Sequence, residues 1–304
     1  MKKSVTLKVN KEKLDKIISH YKVYEKANKN EYIVFFAKAD FIQVTCYTSK
    51  KDDDFKVIFM GDDPLKEALK YDKAAKLNVP KAKIEKHWIL FEDQIGSDEV
   101  GTGDFFGPIC VAAAYVKSSD IDRLRALGVD DSKKLNDEQI IKLAQILIKK
   151  IPYSQVSLNN EKFNELVDKG MNMNEMKAKL HNQVLKNLKK KYPEVKHFII
   201  DEFLGKDKYF KYLKDEKEVV KDVTFKTKGE SYFPCVAVGS IIARYSFLSK
   251  MKALGEKYKM DIPFGASKKV TEFARKFAAK YGEEELMKVI KKNFVNINEV
   301  ILEN

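Results

Sequence analysis

The spacing of apolar residues changes from strand-like to helix-like and back within the first 72 residues. Residues 4–9 alternate as in a short strand, and Asn10 is a good helix N-cap. After it, apolar residues recur on one helical face: Leu14, Ile17, Ile18 and Tyr21. Three strand-like runs and a second helix follow, at 31–39, 41–48, 54–61 and 64–73. The pattern predicts a small β-α-β-β-β-α unit over residues 1–72.

Residues 73–87 are rich in lysine, contain Pro80 and show little apolar periodicity, which indicates a linker. Beyond it, 88–304 shows the alternating strands and helices of an α/β domain. Strands are predicted at 88–99, 107–116, 153–160 and 197–203, and a further extended run at 223–230. The second of these is almost continuously apolar, which predicts burial on both faces. Helices are predicted at 136–150, 174–192 and over most of the chain from Phe233 onward, apart from the loop 261–267.

The charge balance favours a polyanionic partner. The chain carries 58 Lys and Arg against 45 Asp and Glu, a formal net charge of +13. Lysine-rich surfaces also serve solubility, so charge alone leaves both interpretations open. The same holds for Tyr32, Phe41 and Tyr47 in the first unit, whose aromatic rings suit either a nucleic-acid-binding sheet or the core.

Cysteine and membrane chemistry are not indicated. Cys46, Cys110 and Cys235 each lie in an apolar run, which predicts buried free thiols, and no spacing suits a zinc site. Lysines interrupt the amino-terminal apolar residues, and no apolar run approaches the length of a membrane span. We expect a cytoplasmic protein, and by default a monomer with no protein partner.

Acidic residues at the ends of predicted strands are the candidate chemistry. Asp98 and Glu99 end one strand before a glycine-rich turn, Asp201 ends another, and Glu230 follows an extended run. Each acid alone could be a turn or cap residue, and Glu230 could pair with Lys228 at the surface. Carboxylates gathered from several strands repel one another, and their hard oxygens select Mg²⁺ or Mn²⁺. Together they predict a site for two metal ions acting on a phosphodiester.

Four segments resemble the type 2 ribonuclease H family, in the family's order. Residues 96–108, GSDEVGTGDFFGP, are similar to its signature, and 131–135, DSKKL, to its Asp-Ser-Lys-x-Leu segment. FIIDEF resembles the strand with the third acid, and KGESYFPCVAVGSIIARYSFL the stretch with the fourth acid. The resemblance extends over about 200 residues. It implies an RNase H-like catalytic domain, with a central mixed sheet flanked by helices.

Within this family the chain resembles the ribonuclease HIII branch more than ribonuclease HII. That implies a small α+β amino-terminal domain resembling the TATA-box-binding protein, used for substrate binding, and Glu at the fourth acidic position, as in Glu230. Thr102 stands where the sister branch usually has Arg, and the loop 263–267 lacks its Lys-Gly-Tyr run. Both departures favour substrates with several consecutive ribonucleotides over single-ribonucleotide junctions.

The resemblance implies roles for particular residues. Asp98, Glu99, Asp201 and Glu230 become the catalytic metal ligands, and we expect Asp98 to contact both ions. Backbone groups of Gly101, Thr102 and Gly103 can contact the 2′-hydroxyl, and phosphate contacts are expected from Ser132, Lys133, Lys134 and Arg244. The alternative for Lys133 and Lys134 is that both are solvated surface lysines. His181 is interpreted as structural, not as a general base.

The sequence therefore predicts a metal-dependent endoribonuclease that cuts the RNA strand of RNA·DNA hybrids, leaving 5′-phosphate and 3′-hydroxyl ends. Two alternatives remain. One is a non-catalytic nucleic-acid-binding protein, in which the acids are turn residues. The other is a DNA junction nuclease on the same fold.

Overall fold

A computed structural model describes residues 3–28, 30, 32–48, 54–78, 88–129 and 135–301. The chain divides into two compact units, Met1–Ile84 and Glu85–Asn304. The domain boundaries expected at residues 72 and 87 stay a prediction, and most of the expected linker, residues 79–87, lies outside the described residues. No helix in the described ranges is long and apolar enough to cross a membrane.

The described part of the first unit has the predicted β-α-β-β-β-α order. Its elements are β1 (Lys3–Val9), α1 (Lys11–Tyr21), β2 (Ile33–Lys38), β3 (Ile42–Tyr47), β4 (Phe55–Gly61) and α2 (Pro64–Leu69). The strands form an antiparallel sheet in the order β1-β4-β3-β2. Asn10 caps α1 as expected, since its side chain accepts a hydrogen bond from the Lys13 amide.

One face of this sheet packs against both helices and forms the core of the unit. Tyr32, Phe41 and Tyr47, for which the sequence allowed either a core or a nucleic-acid-binding role, are not among the buried residues of that core. Tyr32 and Phe41 are 60% and 47% exposed, and Tyr47 is half-buried with the Lys56 ammonium 5.8 Å from its ring centre. Tyr32 and Phe41 are therefore not core residues.

The described part of the second unit is built on a mixed sheet, as predicted. Its strands are β5 (Gln94–Val100), β6 (Ile109–Val116), β7 (Tyr153–Leu158), β8 (His197–Asp201) and β9 (Val223–Lys226). They lie in the order β7-β6-β5-β8-β9. The β7-β6-β5 pairs are antiparallel, whereas β5-β8 and β8-β9 are parallel.

Helices cover both faces of this sheet. In the described residues they are α3 (Ile121–Ala126), α4 (Asp137–Lys150), α5 (Asn160–Asp168), α6 (Met173–Lys191), α7 (Lys206–Tyr212), α8 (Pro234–Tyr258), α9 (Lys268–Tyr281), α10 (Glu283–Met287) and α11 (Asn296–Ile301). Helices α4 and α8 pack on one face, and α6 packs on the other. Strand β6 is buried along its whole length, as its continuous apolar sequence predicts.

Helix α8 lies unusually close to the central strands because Gly239 faces them. A Cβ atom at this position would lie 2.9 Å from the Ala112 carbonyl oxygen and 3.2 Å from that of Gly96. Any side chain would therefore force the helix away from β5 and β6. The following residue, Ser240, is brought close to the end of β5.

Several details of the sequence prediction were wrong. The strand expected at 88–99 begins only at Gln94, because Trp88 is buried against the α4 and α8 core and Asp93 accepts turn hydrogen bonds from Ser118 and Tyr115. Strand β7 ends at Leu158, since Asn159 caps a helix through the Lys162 amide. Helices α3, α5 and α7 were not predicted at all. The three cysteines are buried and free, as expected.

Candidate active site

The predicted acids meet where the parallel strands β5 and β8 end. Pairing runs from Gln94 with His197 to Ser97 with Ile200, so the next residues along, Asp98 and Asp201, reach the same edge of the sheet.

Glu230 is brought to that edge by the chain that follows β9. Lys228 adopts the left-handed conformation, with φ of 60°, and the chain then enters a short 3₁₀ helix, Gly229–Ser231, that contains Glu230. The Gly229 amide donates a hydrogen bond of 2.8 Å to Asp201 Oδ1, which ties this helix to the end of β8. Three separate segments of the chain therefore contribute the four acids.

These acids line a single cavity of about 510 Å³. All four predicted acids, Asp98, Glu99, Asp201 and Glu230, contribute to its wall, together with the expected phosphate ligand Arg244. The other lining residues are Val100, Leu135, Asp137, Ile140, Ser240 and Ile241. The cavity thus combines an acidic floor with a cationic guanidinium.

Asp98 lies in an environment that disfavours its negative charge. Burial raises its pKa to about 7, and the negative charges of Glu99 and Asp201 act in the same direction. The Ser240 hydroxyl and the Glu99 amide donate hydrogen bonds to the carboxylate and partly oppose the increase. A carboxylate that is only 8% exposed and faces two others would be stabilised by a cation.

Glu99 is held by helix α6. Lys177 Nζ lies 2.8 Å from its Oε1, and His181 Nε2 lies 3.0 Å from its Oε2. Burial alone would raise the pKa of Glu99, but the hydrogen bond and charge of His181, followed by those of Lys177, lower it to about 2. Asp98 and Glu99 are neighbours in sequence, yet their pKa values are shifted in opposite directions.

The donors suit a divalent cation in their chemistry. All four are carboxylates, the hard oxygen ligands that Mg²⁺ and Mn²⁺ prefer. The raised pKa of Asp98 reflects burial first and then repulsion by Glu99 and Asp201, and a bound cation would oppose both effects. As they stand, the described residues contain no group of three or more His, Cys, Asp or Glu positioned to hold a metal ion. Both oxygens of Glu99 face α6, so its carboxylate would have to share them with an ion.

The glycine-rich turn beside the acids contains two glycines, Gly101 and Gly103, that differ in burial and in the space available for a side chain. Gly101 is buried with φ of +97°, and a Cβ atom there would lie 2.2 Å from the Pro108 carbonyl oxygen. Gly103 is exposed, and a Cβ atom would meet nothing within 4 Å. Gly101 is therefore required by the fold of the turn, whereas Gly103 leaves open space.

This difference predicts unequal effects of the same substitution. Gly101→Ala is expected to lower the free energy of unfolding by about 3 kcal/mol, because it combines a left-handed backbone with a backbone clash. Gly103→Ala, its matched control, is expected to change it by less than about 0.5 kcal/mol. Urea denaturation of both variants measures the two values, and equal losses would contradict this account.

The residues after the turn are fixed by the carboxyl-terminal part of the chain. Lys291 is fully buried, and its Nζ donates hydrogen bonds to the carbonyl oxygens of Asp104, at 2.7 Å, and Gly107. The Lys291 amide donates to Phe105 O, and the Gly107 amide to Val289 O, both at 2.9 Å. Burial lowers the pKa of Lys291 to about 7.

Comparison with known proteins identifies the family. A family model described as Ribonuclease HII matches residues 95–297, and a model of a domain of unknown function, DUF3378, matches residues 4–83. The chain is 39% identical to Ribonuclease HIII of Bacillus cereus (strain AH187), with 97% of each chain covered. The chain belongs to the ribonuclease HIII family. It is therefore a ribonuclease H, an endoribonuclease, as the sequence predicts.

Solved structures agree with this family. Bst-RNase HIII in complex with Mn²⁺ is 35% identical and aligns with a TM-score of 0.69 over 99% of this chain and 98% of that one. Ribonuclease H2 from Pyrococcus horikoshii OT3 is 21% identical and shares the fold, with a TM-score of 0.58 over 69% of this chain and 98% of that one. The α/β fold with a mixed sheet is confirmed.

The structure describes only some of the expected substrate-binding residues. Arg244 donates two hydrogen bonds of 3.0 Å to Asp137, one to each carboxylate oxygen, and lies over the Phe264 ring at 5.3 Å. Thr102 is half-buried in the turn. The segment with Ser132, Lys133 and Lys134 lies outside the described residues, and its phosphate contacts stay a prediction.

Sequence reasoning missed the residues that support the acids in this ribonuclease HIII family member. Lys177 and Ser240 were not considered. His181 was interpreted as structural, but its partners were not identified: its Nδ1 lies 2.8 Å from Ser97 Oγ, and its Nε2 lies 3.0 Å from Glu99 Oε2. The available signal was the spacing of Lys177 and His181 by four residues, which places both on one face of a helix. The sequence alone does not show that this face meets β5.

Proposed function

We propose that the chain cleaves the RNA strand of RNA·DNA hybrids internally, leaving 5′-phosphate and 3′-hydroxyl ends. Asp98, Glu99, Asp201 and Glu230 would hold two Mg²⁺ or Mn²⁺ ions, with Asp98 as the ligand shared by both. The observation that carries this proposal is the meeting of four carboxylates in one cavity, with the pKa of Asp98 raised. The complex of Bst-RNase HIII with Mn²⁺ supports the choice of ion.

The chain's own residues orient the acids and the substrate. The Ser240 hydroxyl and the Glu99 amide orient the Asp98 carboxylate, and the Gly229 amide orients Asp201. Two hydrogen bonds to Asp137 fix the orientation of the Arg244 guanidinium, which lines the cavity where a scissile phosphate would be bound. When bound, the ions supply an activated water and stabilise the charge that develops on the leaving 3′-oxygen.

Selection of RNA over DNA is assigned to the turn Gly101–Thr102–Gly103. Its backbone lies beside Asp98 and Glu99, and exposed Gly103 allows close approach to a 2′-hydroxyl whatever the base. Thr102 and the loop 263–267 favour runs of several ribonucleotides over single junctions. The first unit is assigned to hybrid binding, and a monomer in the cytoplasm is part of the same proposal.

A substrate comparison tests this function directly. The protein is incubated with Mn²⁺ and labelled RNA·DNA hybrid, DNA duplex, double-stranded RNA, a DNA four-way junction, or DNA with one embedded ribonucleotide. We expect cleavage of the RNA strand of the hybrid, with products that a ligase can join without prior phosphorylation, because they carry 5′-phosphate and 3′-hydroxyl ends. Preferential cleavage of the four-way junction would favour the junction-nuclease alternative, and no cleavage of any substrate the non-catalytic one.

A further inference from the structure

Glu99, one of the acids that line the cavity, is contacted by a cationic residue from the opposite face of the sheet. Lys177 and His181 are separated by four residues on helix α6, and both reach Glu99. They are 7% and 0% exposed, so the lysine charge is removed from water. Burying an ammonium is costly in free energy unless the ion it meets compensates for it. Here that ion is a carboxylate of the candidate metal site.

The two side chains are fixed by further contacts. The Phe203 ring stacks on the His181 ring, with centroids 5.1 Å apart and planes inclined by 26°. The Lys177 ammonium lies 3.9 Å from the centre of the same Phe203 ring. Ser97, on the same strand as Glu99, fixes the other nitrogen of His181 at 2.8 Å. Both oxygens of Glu99 are therefore bound by Lys177 and His181, whose own positions are fixed by Phe203 and, for His181, by Ser97.

We propose that Lys177 and His181 are positioning residues that hold the Glu99 carboxylate, and that the fixed charge of Lys177 limits how tightly the acidic cavity binds divalent cations. This inference rests on the proposed metal-dependent function. A positive charge beside one of four carboxylates repels an entering cation and competes with it for Glu99. The cavity would then exchange ions readily while Glu99 stays oriented.

Removing this charge should therefore have two opposite effects. Lys177→Met and Lys177→Gln are expected to bind Mn²⁺ about tenfold more tightly, because repulsion is lost. The same variants are expected to cleave hybrid with a kcat about tenfold lower at saturating Mn²⁺, because Glu99 loses one of its two anchors. Lys177→Arg keeps the charge and should remain close to the unaltered protein in both respects.

The experiment is calorimetric titration of the full chain with Mn²⁺ in the absence of nucleic acid, followed by hybrid cleavage. Lys179→Met is the matched control, because Lys179 lies on the same helix but pairs with Glu216 at 2.7 Å. It removes the same charge away from Glu99 and should leave Mn²⁺ affinity unchanged. Lys177→Gln is neutral but polar and shorter than lysine, so it covers the case in which Lys177→Met does not fold.

The outcomes separate this inference from the proposed function. If the unaltered protein binds Mn²⁺ and both neutral variants bind it equally or more weakly, the role of Lys177 is overturned and the metal site stands. If the unaltered protein does not bind Mn²⁺, both proposals fail. His181→Gln should keep part of the kcat that His181→Ala loses, because the glutamine amide can donate a hydrogen bond to Glu99. Equal kcat for Ala and the unaltered protein would overturn its role.

Discussion

Replacing Asp98 with Asn is expected to lower the rate of hybrid cleavage at least about 1000-fold and to leave hybrid binding nearly unchanged. The substitution keeps the shape of the side chain but removes the charge at the centre of the acidic cavity. Single-turnover cleavage and a binding titration with the same labelled hybrid separate the two effects. Asp122→Asn is a matched control, since the Asp122 side chain is 98% exposed on α3.

The same substitution should stabilise the fold. Because burial and the charges of Glu99 and Asp201 raise the pKa of Asp98, a neutral amide relieves repulsion in the folded state. We expect a gain of about 1 kcal/mol in the free energy of unfolding at neutral pH, which is typical when a functional charge is removed. Cleavage of hybrid by Asp98→Asn at the normal rate would contradict the catalytic role of Asp98.

Deleting residues 1–80 is expected to raise the KM for hybrid at least about tenfold, with kcat within about twofold of the full chain. The kcat should be retained because the four acids, Arg244 and the glycine-rich turn all belong to the second unit, which has its own cores. The KM should rise because the unit assigned to hybrid binding is lost. Steady-state cleavage at several salt concentrations is the measurement. Loss of basic contacts should also flatten the dependence of KM on salt.

A different pattern would reject the binding role of the first unit. If kcat falls and KM stays constant, the unit acts on the chemistry and not on hybrid binding. The thermal unfolding midpoint of the shortened chain serves as the control, because a folding defect would lower both parameters for an unrelated reason.

Much of the fold could be predicted because local signals agreed with the tertiary structure. Asn10 and Asn136 both cap helices through their side chains, as their positions before apolar-periodic segments suggest. The continuous apolar run of β6 predicted burial on both faces. Acids at strand ends predicted one shared edge, and the parallel pairing of β5 with β8 brings Asp98 and Asp201 there.

The remaining details depend on contacts between distant segments. Nothing local shows that Trp88 is buried in the core that includes α4 and α8 while β5 begins only at Gln94, so the start of β5 was placed too early. Lys177 lies in a lysine-rich helix, and only packing distinguishes it from the solvated lysines around it. Ser240 matters because Gly239 lets α8 approach β5, which is a property of two surfaces and not of one segment.

The parallel pairing of β5 with β8 also has a consequence for how activity appears during folding. In the described residues, β6, β7 and helices α3 to α6 lie between the two strands, so their pairing requires closure of a long loop. No fragment that ends before β8 can contain the site. Recovery of cleavage after dilution from denaturant therefore follows a late, non-local step of folding, whereas the caps and helices can form beforehand.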